Sequence, residues 1–447
     1  MKAAECDKMN GVPGVGSSPV CGRVSEEERT ELISTHPRLR PVEALPLEQN
    51  GTRGICLRDP HRYSERMLFV PEGLIPLLQL MDGSRSLGDI QAELRGRFGS
   101  DVPTEELQAL VDMLDRAHFL DSEHFASHRA EVERRFLESP VRDAFLAGQA
   151  YPDSPDDLAR YIDELFLHPD GPGGPAARPE KGAPGSRRNG TPRGAILPHI
   201  DFARGGAVYA HGYRPLVEAE PADTYVVLGT AHMGARRVFA LTRKDFATPL
   251  GAVPADQGFI DRLVEEVPGD YFVDELSHRA EHSIEFQAIL LRRLIGRDHA
   301  VSIVPILCGS LHAHVRMGRS PMDDPEIAGF VKGLKRTLAG RNEKVCVIAS
   351  VDLAHVGPQF GAPKPVDEAR IADTRRKDHE MLKRVLDRDP EGFFQYVQEE
   401  GDERNVCGLT PIYTMLHALE SRKVEMLEYG VAPDPQGTVT FASLLVH

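Results

Sequence analysis

The chain has 447 residues, of which 27% are charged and 41% hydrophobic, and its formal net charge is −15. That length exceeds one ordinary core and predicts two or more domains, while the acidic balance argues against nucleic acid or an anionic membrane as the main partner. No apolar run reaches the roughly eighteen residues that span a bilayer, the N-terminus has no apolar signal core, and scattered cysteines without close pairs fit a reducing cytoplasm rather than a disulfide framework.

Residues 1–35 are expected to form a disordered tail, because Met1 to Val24 are rich in Gly, Ser and Pro. Cys6 and Cys21 stand there without a partner at zinc-like spacing. A small α+β domain is expected over residues 36–125. Gly54 to Arg58 and Met67 to Val70 read as strands, and Pro71 to Met81 carries Leu74, Leu77, Leu78 and Met81 at helical spacing. Ser86 is a candidate N-cap for Leu87 to Phe98, and Thr104 for Glu105 to Ala117. The phrase LMDGSRSLGDIQAEL and the helix after it resemble PqqD-like winged-helix domains. That resemblance implies a peptide held along a strand edge; a structural appendage without a ligand is the alternative, since fold alone does not assign function.

Residues 126–139 are expected to be a charged helical connector. Ser154 or Asp153 can cap a helix carrying Leu158, Tyr161, Ile162 and Leu165, and residues 169–193, dense in Pro, Gly and Arg, read as a mobile loop. From Gly194 onward, short Val/Ile-rich strands alternate with helices: Gly194 to Leu197, Tyr225 to Leu228, Val238 to Leu241, Val301 to Ile306 and Val345 to Ala349. The expected helices are Ser283 to Ile295, one opening at Asp324-Pro325, Asp367 to Leu386, and one from Thr410-Pro411 to Leu419; Val424 to Tyr429 and Thr438 to Leu445 close the chain as strands. This alternation predicts an α/β layered fold.

Chemistry-bearing residues recur where strands end. His199 follows GAILP, His232 ends YVVLGTAH, Asp352 and His355 lie in VCVIASVDLAH, and Cys407 precedes a helix in NVCGLTP. In open α/β sheets, ligands bind beyond the carboxyl ends of the strands. His199, His232 and Cys407 are therefore candidate metal ligands, because imidazole and thiolate bind borderline divalent ions and three protein ligands leave positions open. The helix start after Cys407 is expected to favour its thiolate. His282, flanked by Glu281 and Glu285, is the candidate general base. Asp352 is expected to orient a ligand or a neighbouring His, His355 to donate a proton, and Asp201 to face the same cleft. His312 and His314 in SLHAHV read as surface loop residues. Walker, GxGxxG, HExxH and GxSxG patterns are missing.

From about Pro140 to His447 the chain resembles the Memo family, which includes the AmmeMemoRadiSam system protein B. The resemblance rests on AGQAYP (147–152), PHIDF (198–202), LGTAHMG (228–234), AEHSIEFQ (280–287), SVDLAHVG (350–357) and NVCGLTPI (405–412), in that order. It implies a layered α/β/α sandwich similar to the LigB-like class III extradiol dioxygenases over residues 140–447. It also implies iron(II) or copper at His199, His232 and Cys407, with His282 in the acid/base position. Met233, Ala231 and Asp201 depart from the family's usual residues, and a Cys ligand where those dioxygenases have Glu departs from catechol chemistry. Two functions follow as expectations: a metal-dependent, dioxygenase-like redox protein, or a non-catalytic adaptor whose N-terminal domain holds a peptide or partner protein beside a non-catalytic pocket. The N-terminal domain is further expected to deliver a peptide or partner protein to the metal site, the alternative being that it only packs against the larger domain and stabilises it. The oligomeric state is not read from the sequence.

Overall fold

The computed structural model describes residues 36–99, 102–174, 191–297, 299–340 and 344–447. The expected tail, residues 1–35, and most of the expected loop at 169–193 lie outside them. The chain divides into two compact units, one ending at Phe136 and one running from Leu137 to His447.

The smaller unit begins with a hairpin, β1 (Glu43–Gln49) and β2 (Thr52–Arg58), to which β3 (Leu68–Pro71) adds antiparallel. Asn50 and Gly51 form its two-residue turn at φ 51° and 76°, which matches the twist of paired strands. Strand β1 was not anticipated, because Pro46 interrupts it and none of its residues is buried, so no apolar alternation marks it. Helices α1 (Ile75–Leu80), α2 (Leu87–Phe98), α3 (Thr104–Arg116) and α4 (Glu123–Glu138) follow. Ser86 caps α2 in a reciprocal box with Asp89. Thr104 does not cap α3: Pro103 occupies that position, Thr104 is already helical, and its hydroxyl donates to Gln91 instead. Leu57, Val70, Leu77, Ile90, Val111, Leu114 and Phe119 make the core.

The larger unit continues with β4 (Val141–Arg142), α5 (Pro155–Leu167), β5 (Gly194–Leu197), α6 (Phe202–Glu218), β6 (Thr224–Thr230), β7 (Phe239–Leu241), β8 (Asp245–Phe246), α7 (Gln257–Glu266) and α8 (Glu285–Leu290). Next come β9 (Ser302–Cys308), α9 (His312–Met317), α10 (Pro325–Ala339), β10 (Val345–Ser350), β11 (His355–Val356), α11 (Glu368–Leu386), α12 (Pro390–Glu399), α13 (Leu409–Ala418), β12 (Val424–Ala432) and β13 (Thr438–Val446). Ser154, Asp324 and Asp367 cap α5, α10 and α11. The helix expected over Ser283 to Ile295 is shorter: α8 widens into a π turn at Leu291–Ile295, where Gly296 N–H reaches Leu291 O and Arg292 donates to Leu250 and Gly296 carbonyls. His312 and His314 lie on helix α9 rather than in a loop.

The sheet runs β11-β13-β5-β10-β6-β9-β7, with β12 on β13. Strands β5, β10, β6 and β9 are parallel; β7, β11, β12 and β13 pair antiparallel. The strands carry apolar residues on both faces, as buried parallel strands must. Val226 and Leu228 join one core with α7, α10, α12 and α13, while Tyr225 and Val227 join another with α5, α6 and α8. The result is a mixed α/β sandwich with helices on both sides of the sheet. Among the described residues no helix is long and apolar enough to cross a membrane.

Candidate metal centre

Because β5, β6 and β10 are parallel neighbours, their carboxyl ends share one edge. His199 follows β5, His232 follows β6, Asp352 follows β10 and Cys407 precedes α13. His282 reaches that edge on the loop before α8. Ser283 beside it is laced to the end of β6: its Oγ accepts from Thr230 N–H at 3.0 Å and donates to Thr230 O at 3.0 Å. The approach requires Gly229, since a Cβ there would stand 2.6 Å from both Ile284 Cγ1 and Ser283 Oγ.

Three imidazoles meet. Ring centroids are 4.9 Å apart for His199–His232, 5.3 Å for His199–His282 and 4.7 Å for His232–His282. One nitrogen from each lies within 4.8 Å of the others. His199 Nδ1 donates to Ser350 O at 2.9 Å, which puts its proton there and leaves Nε2 as the acceptor. That Nε2 is 3.4 Å from Cys407 Sγ and 3.7 Å from Asp352 Oδ2. His232 Nδ1 donates to Glu281 at 3.0 Å, and His282 Nδ1 stands 3.3 Å from the same carboxylate. One buried carboxylate thus orients two rings, the carboxylate–histidine support found behind metal-binding imidazoles.

The electrostatics follow from depth. Burial works against the charge on Glu281, yet His232, His282 and Ser283 N–H outweigh it and hold the carboxyl well below its usual range. Burial also opposes a charge on His232, but Glu281 raises it overall. His199, fully buried beside two other rings, is pushed well below the ordinary histidine value. Burial lifts Asp352 to about 7. The thiolate expected at Cys407 is corrected: burial and then Asp352 push this thiol well above its ordinary value, and desolvation overrides the helix start. A bound cation would reverse that balance by stabilising the thiolate directly. The donor set of imidazole nitrogens and a sulfur, with ring protons already held by Ser350 and Glu281, suits a borderline transition metal.

Asp352 Oδ1 accepts from His199 N–H at 3.1 Å and Ile200 N–H at 3.2 Å. Asp201 caps α6 and pairs with Arg204, so its carboxylate bonds to groups outside the three-ring group. His355 sits in β11 with Nδ1 3.3 Å from Leu353 O and its ring edge-on to Phe360; burial, then His232, depress it to about 4. His312 and His314 pair with Asp402 and Asp324.

Sequence reasoning missed the frame behind the rings. Gln287 Nε2 donates to Pro198 O at 2.7 Å and Ser350 Oγ at 2.8 Å, tying the loop before His199 to β10. Arg142, fully buried, donates to His278 O at 3.1 Å and Glu281 O at 2.7 Å and pairs with Glu285. Glu285 also receives Leu146 N–H at 2.8 Å and the Tyr151 hydroxyl. No local pattern could mark Arg142, because its partners lie far along the chain.

Residues 142–443 match the family model described as Memo-like protein. A MEMO1 family protein of Aquifex aeolicus is 28% identical over 393 residues, covering 87% of this chain and 94% of that protein; an alignment that long extends into the smaller unit. MEMO1 family proteins of Desulfurococcus amylolyticus and Metallosphaera sedula are each 30% identical, over 300 and 297 residues, covering 66% and 65% of this chain and 94% and 93% of theirs.

Proposed function

Because the chain belongs to the Memo-like protein family, we propose that it holds one redox-capable transition-metal ion, iron(II) or copper, at the edge of its sheet and acts as a non-haem, dioxygenase-like redox protein. His199 and His232 supply two ligands, and Cys407 Sγ, 3.4 Å from His199 Nε2, supplies the third. His282 stands beside them as the acid/base group, its ring held by Glu281. The bound ion would supply one-electron and oxygen chemistry. Asp352, which fixes the His199 backbone, keeps the first ligand in place.

The single observation that carries this reading is the crowding of His199, His232 and His282, with ring nitrogens within 4.8 Å of one another, against Cys407 Sγ 3.4 Å from His199 Nε2, the rings steadied through Nδ1 by Ser350 O and Glu281. The test is anaerobic metal analysis of the full chain and its His199→Ala, Cys407→Ala and His282→Ala variants under reducing conditions. The reading expects bound iron or copper in the full chain and in His282→Ala, with loss in the other two. Metal retained in both His199→Ala and Cys407→Ala removes the ligand assignment.

A second reading, an adaptor that holds a peptide or partner protein, is favoured by the sheet order β1-β2-β3, in which β1 has one strand partner among the described residues. Strand addition uses such an edge. Deleting residues 1–125 separates the readings: lost partner binding with retained metal supports the adaptor, and unchanged partner binding removes it.

A further inference from the structure

The smaller unit carries a second cluster of metal-competent side chains that the centre above does not use. It lies where α3 ends and α4 begins. Asp115 is 4% exposed, and neither of its carboxylate oxygens has a hydrogen-bond partner among the described residues. The same holds for Nδ1 of His118 and Nδ1 of His124. The ion-pair partner of Asp115 is His124, with Nδ1 3.4 Å from Oδ2. The His118 and His124 ring centroids are 4.6 Å apart. Leaving a buried polar group unpaired is costly, and several gathered in one corner call for an unseen partner.

The surroundings hold these groups in place. His118 adopts φ 60°, a left-handed conformation that non-glycine residues take at a cost, and Arg40 donates to its carbonyl. His128 stacks on the His118 ring at 3.9 Å and 5°, and its own Nε2 donates to Tyr63 O at 2.8 Å. The nearby Arg40 is neutralised by Asp59 at 2.9 Å. Asp115 therefore faces imidazoles, with no arginine or lysine paired to it among the described residues.

We propose that Asp115, His118 and His124 form a second site for a divalent transition cation, zinc by the chemistry of one carboxylate and two imidazoles, separate from the centre in the larger unit. His128 positions the His118 ring and is not a ligand. The donors are set wider than the 4.8 Å that encloses His199, His232 and His282, so binding draws the His118 and His124 rings toward Asp115. Three protein ligands leave a position for water or for a group from a partner.

The test uses the full chain with His199→Ala and His232→Ala, which silences the other centre, loaded with zinc and dialysed. Atomic spectrometry is expected to find about one zinc per chain. Adding Asp115→Asn or His124→Gln is expected to weaken binding about tenfold or more, with an unchanged far-ultraviolet circular dichroism spectrum showing that the fold persists. Zinc is expected to raise the melting temperature of the parent and not that of the Asp115→Asn chain. Absence of zinc in the parent overturns the proposal, as does binding that both added substitutions leave intact. Loss of iron or copper by the wild-type chain with zinc retained here would overturn only the function proposed above.

Discussion

The Asp352 carboxylate anchors the backbone of His199 and stands beside its metal-facing ring nitrogen. Its Oδ1 accepts the His199 backbone N–H at 3.1 Å, and its Oδ2 lies 3.7 Å from Nε2 of the same residue. Asp352→Ala leaves two buried N–H groups, of His199 and Ile200, without an acceptor. The expected loss is about 1–3 kcal/mol per group, with metal affinity falling about 10–100-fold. Asp352→Asn keeps an accepting oxygen and is expected to lose less stability. Urea unfolding and competitive metal titration read the two effects; equal stability of Asp352→Ala and wild type would refute the role.

Glu281 orients two rings at once. Glu281→Gln keeps the shape but loses the charge that favours the His232 Nδ1 proton. Metal affinity is expected to fall about 10–100-fold, with His232→Ala in the Glu281→Gln background costing less than in wild type, because the two act through one contact. Strict additivity in that double-mutant cycle would show that the contact does not matter.

Arg142 and Glu285 are both fully buried and paired. Removing one partner strands the other's charge, so Arg142→Met is expected to cost about 3–5 kcal/mol. Pairing it with Glu285→Gln is expected to recover part of that loss, since the orphaned carboxylate is gone while an acceptor remains for Leu146 N–H. Chemical denaturation measures both; a double variant no more stable than Arg142→Met would contradict this account.

Acid is expected to destabilise the larger unit through His278. Burial pushes this ring down to about 3, and its Nε2 donates to Ala240 O at 3.1 Å. The unfolded chain takes up a proton near pH 6.5, while the folded one refuses it until about pH 3. Stability is therefore complete above about 6.5 and falls as the pH drops toward 3, by up to about 1.4 kcal/mol per pH unit from this group. His278→Gln should flatten the slope in that window; an unchanged slope in denaturant titrations would assign the acid sensitivity elsewhere.

Much of the larger unit was legible because buried parallel strands announce themselves as apolar runs. Gly194 to Leu197 and Val345 to Ser350 are examples, and a His or Asp just past such a run falls at the sheet edge. Ser86 and Ser154 were readable as caps because capping is local. What escaped depends on distance or on depth. Strand β1 is defined by its pairing with β2, and Arg142 gains meaning from residues 136 to 143 positions away. The protonation of Cys407 depends on how far the sulfur is buried, which spacing does not encode.

Strand β5 lies between β10 and the last strand, β13. The segment that launches His199 is therefore braced by Leu444, Leu445 and Val446, far along the chain from it. Cys407 emerges 208 positions after His199. The edge can therefore close only once the chain has been made through β13. A chain cut after Ser443 would lack Leu444, Leu445 and Val446, which pair with Ile196, Ala195 and Gly194. Such a chain would keep every candidate ligand and still lose the frame that aligns them.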